Sequence, residues 1–122
     1  MKGKVLLVID DDPVYLQALE YYCRNMGADV VTAEDGAQGV ELFDQHEVFL
    51  VLSDLSMPKV DGIELARRIR SRDAGVPIIA ITGHYHLDEI KLREAGIQAL
   101  LTKPFHLHEL QNTMEQVLLR NR

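Results

Sequence analysis

Short apolar runs alternate with longer segments of helical character along the whole chain, and that alternation restricts its fold more than any other feature. The runs are Val5–Ile9, Ala28–Thr32, Val48–Leu52, Pro77–Thr82 and Ile97–Leu101. Their length and β-rich composition predict strands. The segments between them carry helical spacing or helix-start signals. Asp12 followed by Pro13 is an N-cap with proline at the first helical position, and Asp35 with Gln38 and Asp61 with Glu64 have capping-box spacing. Leu107, Leu110, Met114, Val117 and Leu118 form one stripe of a last helix. Leu16, Leu19, Cys23 and Met26 do the same on a first helix, so Cys23 reads as a core residue rather than a reactive thiol. Leu87–Glu94 predicts a short, mostly polar helix.

Five strands alternating with five helices imply right-handed βαβ crossovers and a parallel sheet, the α/β class. Val5–Ile9 and Val48–Leu52 are apolar almost without interruption, so both faces of the sheet should be covered in a doubly wound arrangement. A chain of 122 residues without repeats or linkers suits one domain over 1–122, and its end just after the fifth helix predicts no output domain. No apolar run approaches the ~20 residues of a membrane-spanning helix, and the N-terminus lacks the pattern of a secretory signal. The single cysteine excludes a disulfide framework and suits a reducing cytoplasm. A net charge of -6 argues against binding nucleic acid phosphates. The basic run Arg67, Arg68, Arg70 and Arg72 therefore reads as a solvated helix face.

Doubly wound sheets bind ligands beyond the carboxyl ends of their strands, so the residues that end the strands carry the functional question. The first strand ends in Asp10-Asp11-Asp12, the third leads to Asp54, the fourth ends in Thr82, and Lys103 follows the fifth. With Asp12 used as a cap, Asp10, Asp11 and Asp54 converge on one edge. Three carboxylates in a small space stay ionised only beside a cation. Hard oxygen donors favour Mg²⁺ or Mn²⁺ over zinc. The acidic first turn disfavours a glycine-rich nucleotide pocket. A metal, the Lys103 ammonium and the Thr82 hydroxyl together suit a phosphoryl group transferred to a carboxylate nucleophile.

The same residues resemble a known family. Val8-Ile9-Asp10-Asp11-Asp12, Ser53-Asp54-Leu55-Ser56-Met57-Pro58 with Asp61-Gly62, Ile81-Thr82-Gly83 and Thr102-Lys103-Pro104-Phe105 resemble the receiver domains of two-component response regulators, over essentially the whole chain. The resemblance implies a five-stranded parallel sheet of order 2-1-3-4-5 with five helices. It implies that Asp54 takes a phosphoryl group from a phosphohistidine on a sensor histidine kinase or a histidine phosphotransfer protein. Asp11, Asp54 and the Ser56 backbone carbonyl would ligate Mg²⁺, with Asp10 acting through water. Thr82 and Lys103 would contact the phosphoryl oxygens, with the Gly83 N–H as a further donor. The Lys103-Pro104 bond would be cis. A downstream effector or output domain would dock on the face of helix 4, strand 5 and helix 5 of a monomer or weak homodimer. Leu100 departs from the family pattern, since many receivers carry an aromatic residue three positions before the lysine.

Other readings compete less well. A phosphate-independent interaction module of the same fold would be marked by loss of Asp54, Lys103 or an acid of the pair, and all are present. A phosphohydrolase of the haloacid-dehalogenase type would use the Asp-x-Asp spacing within Asp10-Asp11-Asp12, but the chain has no room for a cap and Asp54 would lack a role. The pairs His84-x-His86 and His106-x-His108 have no third metal ligand nearby in the sequence, and His84 would border the mouth of the pocket.

Overall fold

The computed structural model describes residues 2–56, 61–83 and 88–120. Met57, Pro58, Leu87 and both members of the His84–His86 pair lie outside the described residues. Strands and helices alternate as β1 (Val5–Ile9), α1 (Pro13–Asn25), β2 (Asp29–Ala33), α2 (Gly36–Gln45), β3 (Val48–Asp54), α3 (Gly62–Arg72), β4 (Ile78–Thr82), α4 (Glu89–Glu94), β5 (Ala99–Thr102) and α5 (Leu107–Arg120). The strands form one parallel sheet in the order β2-β1-β3-β4-β5, as the resemblance implies. β1 neighbours both β2 and β3, so the chain changes direction across the sheet there and opens a crevice beyond the end of β1.

Strand periodicity divides the core in two. Leu7, Ile9, Val51, Ile78 and Ala80 face one side and pack against Val40 and Phe43 of α2, Leu65 and Ile69 of α3 and Leu92 of α4. Leu6, Val8, Leu50, Leu52, Ile79 and Ile81 face the other side and pack against Leu16, Leu19 and Cys23 of α1 and Leu110, Met114 and Val117 of α5. The expected stripe of α5 is thus buried at its centre, whereas Leu107 at its start is 39% exposed. Cys23 is wholly buried, and its desolvation pushes the thiol up to about 11, as befits a core residue.

The helix starts form as their sequences dictate. Asp12 accepts from the Val14 N–H at 3.0 Å, Asp35 from Gln38 at 2.8 Å and Asp61 from Glu64 at 2.9 Å. The Gln38 side chain returns a bond to the N–H of Glu34, one residue before the cap. Glu64 departs from a capping box and pairs with Arg68 at 3.2 Å. α4 begins at Glu89, capped by Asp88, later than the spacing suggests.

Four strands differ from the sequence expectation: β4 begins at Ile78 rather than Pro77, and the other three differ in ways that pairing explains. β2 starts at Asp29, because the Ala28 N–H is still used to close the turn after α1 onto Cys23. β5 starts at Ala99, because the Ile97 N–H closes α4 onto Leu92. β3 runs on through Ser53 and Asp54, whose partners in β4 are Ala80 and Ile81. That extension carries a carboxylate into the sheet. No helix among the described residues is long and apolar enough to cross a membrane.

Candidate functional site

Four strand ends build the site. Asp10 follows β1, and its N–H still bonds to the Ala33 carbonyl at 3.1 Å, so the sheet fixes its backbone. Its side chain is wholly buried, and Oδ1 accepts from the Asp12 N–H at 2.9 Å. This turn leaves Asp11 exposed beside it. Asp54 ends β3 and is 6% exposed, with Oδ1 accepting from the Ser56 N–H at 3.1 Å. Thr82 ends β4 and is fully buried, and its carbonyl accepts from the Lys103 N–H at 2.7 Å. Gly83 follows at the same edge, open to solvent. The Lys103-Pro104 bond after β5 is cis, as the resemblance implies.

Lys103 reaches back over the strand ends. Its Nζ lies 2.9 Å from Asp10 Oδ2 and 3.6 Å from Asp54 Oδ2. Carboxylate oxygens of Asp10, Asp11 and Asp54 all lie within 4.8 Å of one another. Three acids and one ammonium leave the pocket short of positive charge. Burial pushes the Asp54 carboxyl up to about 6, helped by the neighbouring Asp10 and opposed by the Ser56 N–H and by Lys103. Burial pulls the Lys103 ammonium down, but its hydrogen bond to Asp10 and the charges of Asp10 and Asp54 outweigh that and hold it above the ordinary lysine value. A cation with a preference for oxygen fits this donor set, which offers neither nitrogen nor sulfur.

A pH dependence follows. Asp54 binds its proton more tightly in the folded chain, near pH 6, than in the unfolded chain, near pH ~4. Its contribution to stability is therefore complete below pH ~4 and is lost as pH rises through about 6. In metal-free buffer we expect a loss of about 3 kcal/mol from this group, absent in Asp54→Asn. Urea midpoints from pH 4 to 7 in chelator, with the Asp54 carboxyl followed by NMR, would check it. A midpoint titration at pH ~4 would contradict it.

The structure also separates groups that the sequence left together. Of the basic run, Arg68 pairs with Glu64 and Arg72 with Asp44 at 2.6 Å, both at the surface. Arg70 is not part of a solvated face. It is half-buried and donates from Nε and Nη2 to the Gly96 carbonyl, at 3.1 and 2.7 Å, tying α3 to the turn after α4. The rings of His106 and His108 stack 5.5 Å apart. Among the described residues, the acidic trio is the group placed to hold a metal ion. Leu100 is 37% exposed on β5. Tyr15 carries no signal in the sequence alone, because it lies off the apolar stripe of α1. Its ring stands over Lys103.

Residues 6–115 match the model of the response regulator receiver domain family. The chain belongs to that family. Transcriptional regulatory protein GlrR of Escherichia coli K12 is 36% identical over 114 residues, 93% of this chain and 26% of that protein. The chain spans between about a quarter and a half of the curated relatives it matches. Among solved structures, the signal receiver domain of an HD domain-containing protein from Pseudomonas fluorescens Pf-5 superposes with a TM-score of 0.89 at 30% identity, covering 97% of this chain and 96% of that one. The receiver domain of sensor histidine kinase PA1611 from Pseudomonas aeruginosa PAO1 does so with a TM-score of 0.86 at 31% identity, covering 95% and 98%. That structure has a magnesium ion coordinated in its active site cleft. The chain is thus a two-component signalling receiver, and Asp10, Asp11, Asp54 and Lys103 form the pocket typical of a phosphoacceptor.

Proposed function

We propose that Asp54 is the phosphoacceptor and that Lys103, Thr82 and the Gly83 N–H bind the transferred phosphoryl group. The observation that carries this is the position of Asp54. It is a buried carboxylate beside a second acid, with one ammonium held between them. Such a carboxylate is poorly solvated and open to attack on an electrophilic phosphorus. An oxygen of Asp54 forms the new bond to phosphorus, and the bond from phosphorus to the donor's imidazole nitrogen or acyl oxygen breaks. Lys103 then meets the added charge on the phosphoryl oxygens. Thr82, fixed at the end of β4, offers its hydroxyl from the β4 side.

Asp11, Asp54 and the Ser56 backbone carbonyl would hold Mg²⁺, or Mn²⁺, with Asp10 acting through water. When bound, the ion supplies the positive charge that the acid trio lacks and neutralises the transferring oxygens. The magnesium in the related receiver of PA1611 supports this choice. The donor would be a phosphohistidine on a sensor histidine kinase or phosphotransfer protein. The output would pass through α4, β5 and α5, where Ile90, Leu100 and Leu107 expose apolar side chains. We read residues 1–122 as one receiver unit.

The test is the intact mass of the protein after incubation with acetyl phosphate, with and without Mg²⁺. The wild type should gain one phosphoryl group only with metal, and Asp54→Ala should gain none. An adduct that survives in Asp54→Ala would place the acceptor elsewhere. No adduct in the wild type would favour a phosphate-independent interaction module.

A further inference from the structure

The Lys103 ammonium has three sides. One donates to Asp10 at 2.9 Å and another faces Asp54 at 3.6 Å. The third is covered by the ring of Tyr15, whose centroid is 4.2 Å from Nζ. Tyr15 sits in the first turn of α1, just beyond the Asp12 cap that the acidic loop forms. Its ring is also braced by Phe105, with centroids 6.1 Å apart and planes tilted by 43°. The residue that follows the Lys103-Pro104 pair therefore supports the residue that holds Lys103.

We propose that Tyr15 is a positioning residue for phosphoryl transfer, which keeps the Lys103 ammonium over the phosphoacceptor through its aromatic face. The proposal rests on the phosphoacceptor reading above and adds to it. Lysine is a point charge on a flexible stem, and nothing in its own chain directs it to Asp54 rather than to the closer Asp10. An aromatic face attracts the cation without offering a formal negative charge, so it does not compete with the incoming phosphoryl oxygens. The attraction has little directionality, so Nζ can slide from Asp10 toward the phosphoryl group without leaving the ring. The ring also keeps water from that side, which strengthens the ammonium's field at the reacting oxygens.

The experiment times uptake from acetyl phosphate in Mg²⁺ by intact mass. In this step an Asp54 oxygen bonds to phosphorus, the P–O bond to the acetyl group breaks, and its electron pair leaves with acetate. Tyr15→Leu should slow the step roughly tenfold, the upper range for loss of a desolvated cation–π contact. Tyr15→Phe keeps the face and should restore the rate to within about twofold of wild type. Tyr15→Met replaces Tyr15→Leu if the latter unfolds at the assay temperature. The same changes are made on Lys103→Met, where removing the ring should alter the rate by less than about twofold. If Lys103→Met reacts too slowly to time, the cycle is read on beryllofluoride affinity by NMR titration. Equal slowing with and without Lys103 would show that Tyr15 merely shapes the site and would overturn the proposal. So would a Tyr15→Leu protein that reacts as fast as wild type, or a Tyr15→Phe protein as slow as Tyr15→Leu. A wild type that takes no phosphoryl group overturns the phosphoacceptor reading and this one with it. A wild type that does, matched by Tyr15→Leu, overturns this one alone.

Discussion

Lys103→Met should lower stability by about 3 kcal/mol in metal-free buffer at neutral pH, more than a surface lysine could cost. The reason is what the substitution leaves behind. Asp10 is wholly buried, with Lys103 Nζ at 2.9 Å, and Asp54 is nearly so, with Nζ at 3.6 Å. Without the ammonium, two carboxylates share a poorly solvated pocket with no counter-charge, and breaking one side of a buried ion pair costs about 3–5 kcal/mol. Two conditions should reduce the loss. At pH 5, Asp54, whose carboxyl titrates at about 6, is largely protonated and the repulsion falls. At pH 7.5 with millimolar Mg²⁺, bound cation supplies the missing charge, and stabilisation rises with ligand concentration by linkage. The variant should therefore gain more from Mg²⁺ than the wild type does. Urea unfolding at both pH values, in chelator and in Mg²⁺, checks all of this. Equal midpoints for wild type and variant in chelator at pH 7.5 would show that the ion pair carries no net stability. Phosphoryl uptake should slow in the same variant by about 100-fold, since a preorganised charge at the developing anion is lost.

Gly62→Ala should be as damaging, although the residue touches no ligand. Gly62 opens α3 directly after the Asp61 cap, and its N–H bonds to the Leu55 carbonyl at 3.0 Å. A methyl group there would lie 2.6 Å from the Asp54 carbonyl oxygen and 2.6 Å from the Leu55 Cα. Both are backbone atoms at the end of β3, so no side-chain rotation relieves the clash. Either α3 withdraws from the sheet or the end of β3 shifts and takes Asp54 with it. We expect a loss of roughly 3 kcal/mol, at the upper end for overpacking a tight site. Uptake of phosphoryl by the folded fraction should fall by more than about tenfold, because the proposed acceptor Asp54 moves relative to Lys103 and Thr82. Chemical denaturation and timed intact mass measure the two effects separately. A variant with wild-type stability would mean that the α3 start has slack that the contact distances do not show.

The site was legible in the sequence where a residue's type and its place at a strand end carried the information. Asp10, Asp54, Thr82 and Lys103 are polar residues at the ends of apolar runs, and a parallel sheet brings such ends to one edge. The helix caps were legible for a similar reason, since Asp12, Asp35 and Asp61 act on N–H groups only two or three residues away. Tyr15 and Arg70 were not. Each is defined by a partner far along the chain, Lys103 for one and Gly96 for the other. On a helix, neither differs in local pattern from a surface tyrosine or a surface arginine.

Gly62 shows the boundary between the two kinds of information. Its place after Asp61 marked a turn into a helix, but the reason that only glycine fits is the approach of the β3 backbone, which local sequence does not encode. The same holds for the end of β3. The apolar pattern stops at Leu52, while pairing with Ala80 and Ile81 carries the strand through Ser53 to Asp54. Hydrophobic period and capping chemistry are properties of neighbours in sequence, so they determined the order of elements, the two-sided core and the acids at the strand ends. Distances between strands, the burial that pushes Asp54 up and the ring over Lys103 are properties of neighbours in space. They were decided only when the sheet closed and the helices packed on it.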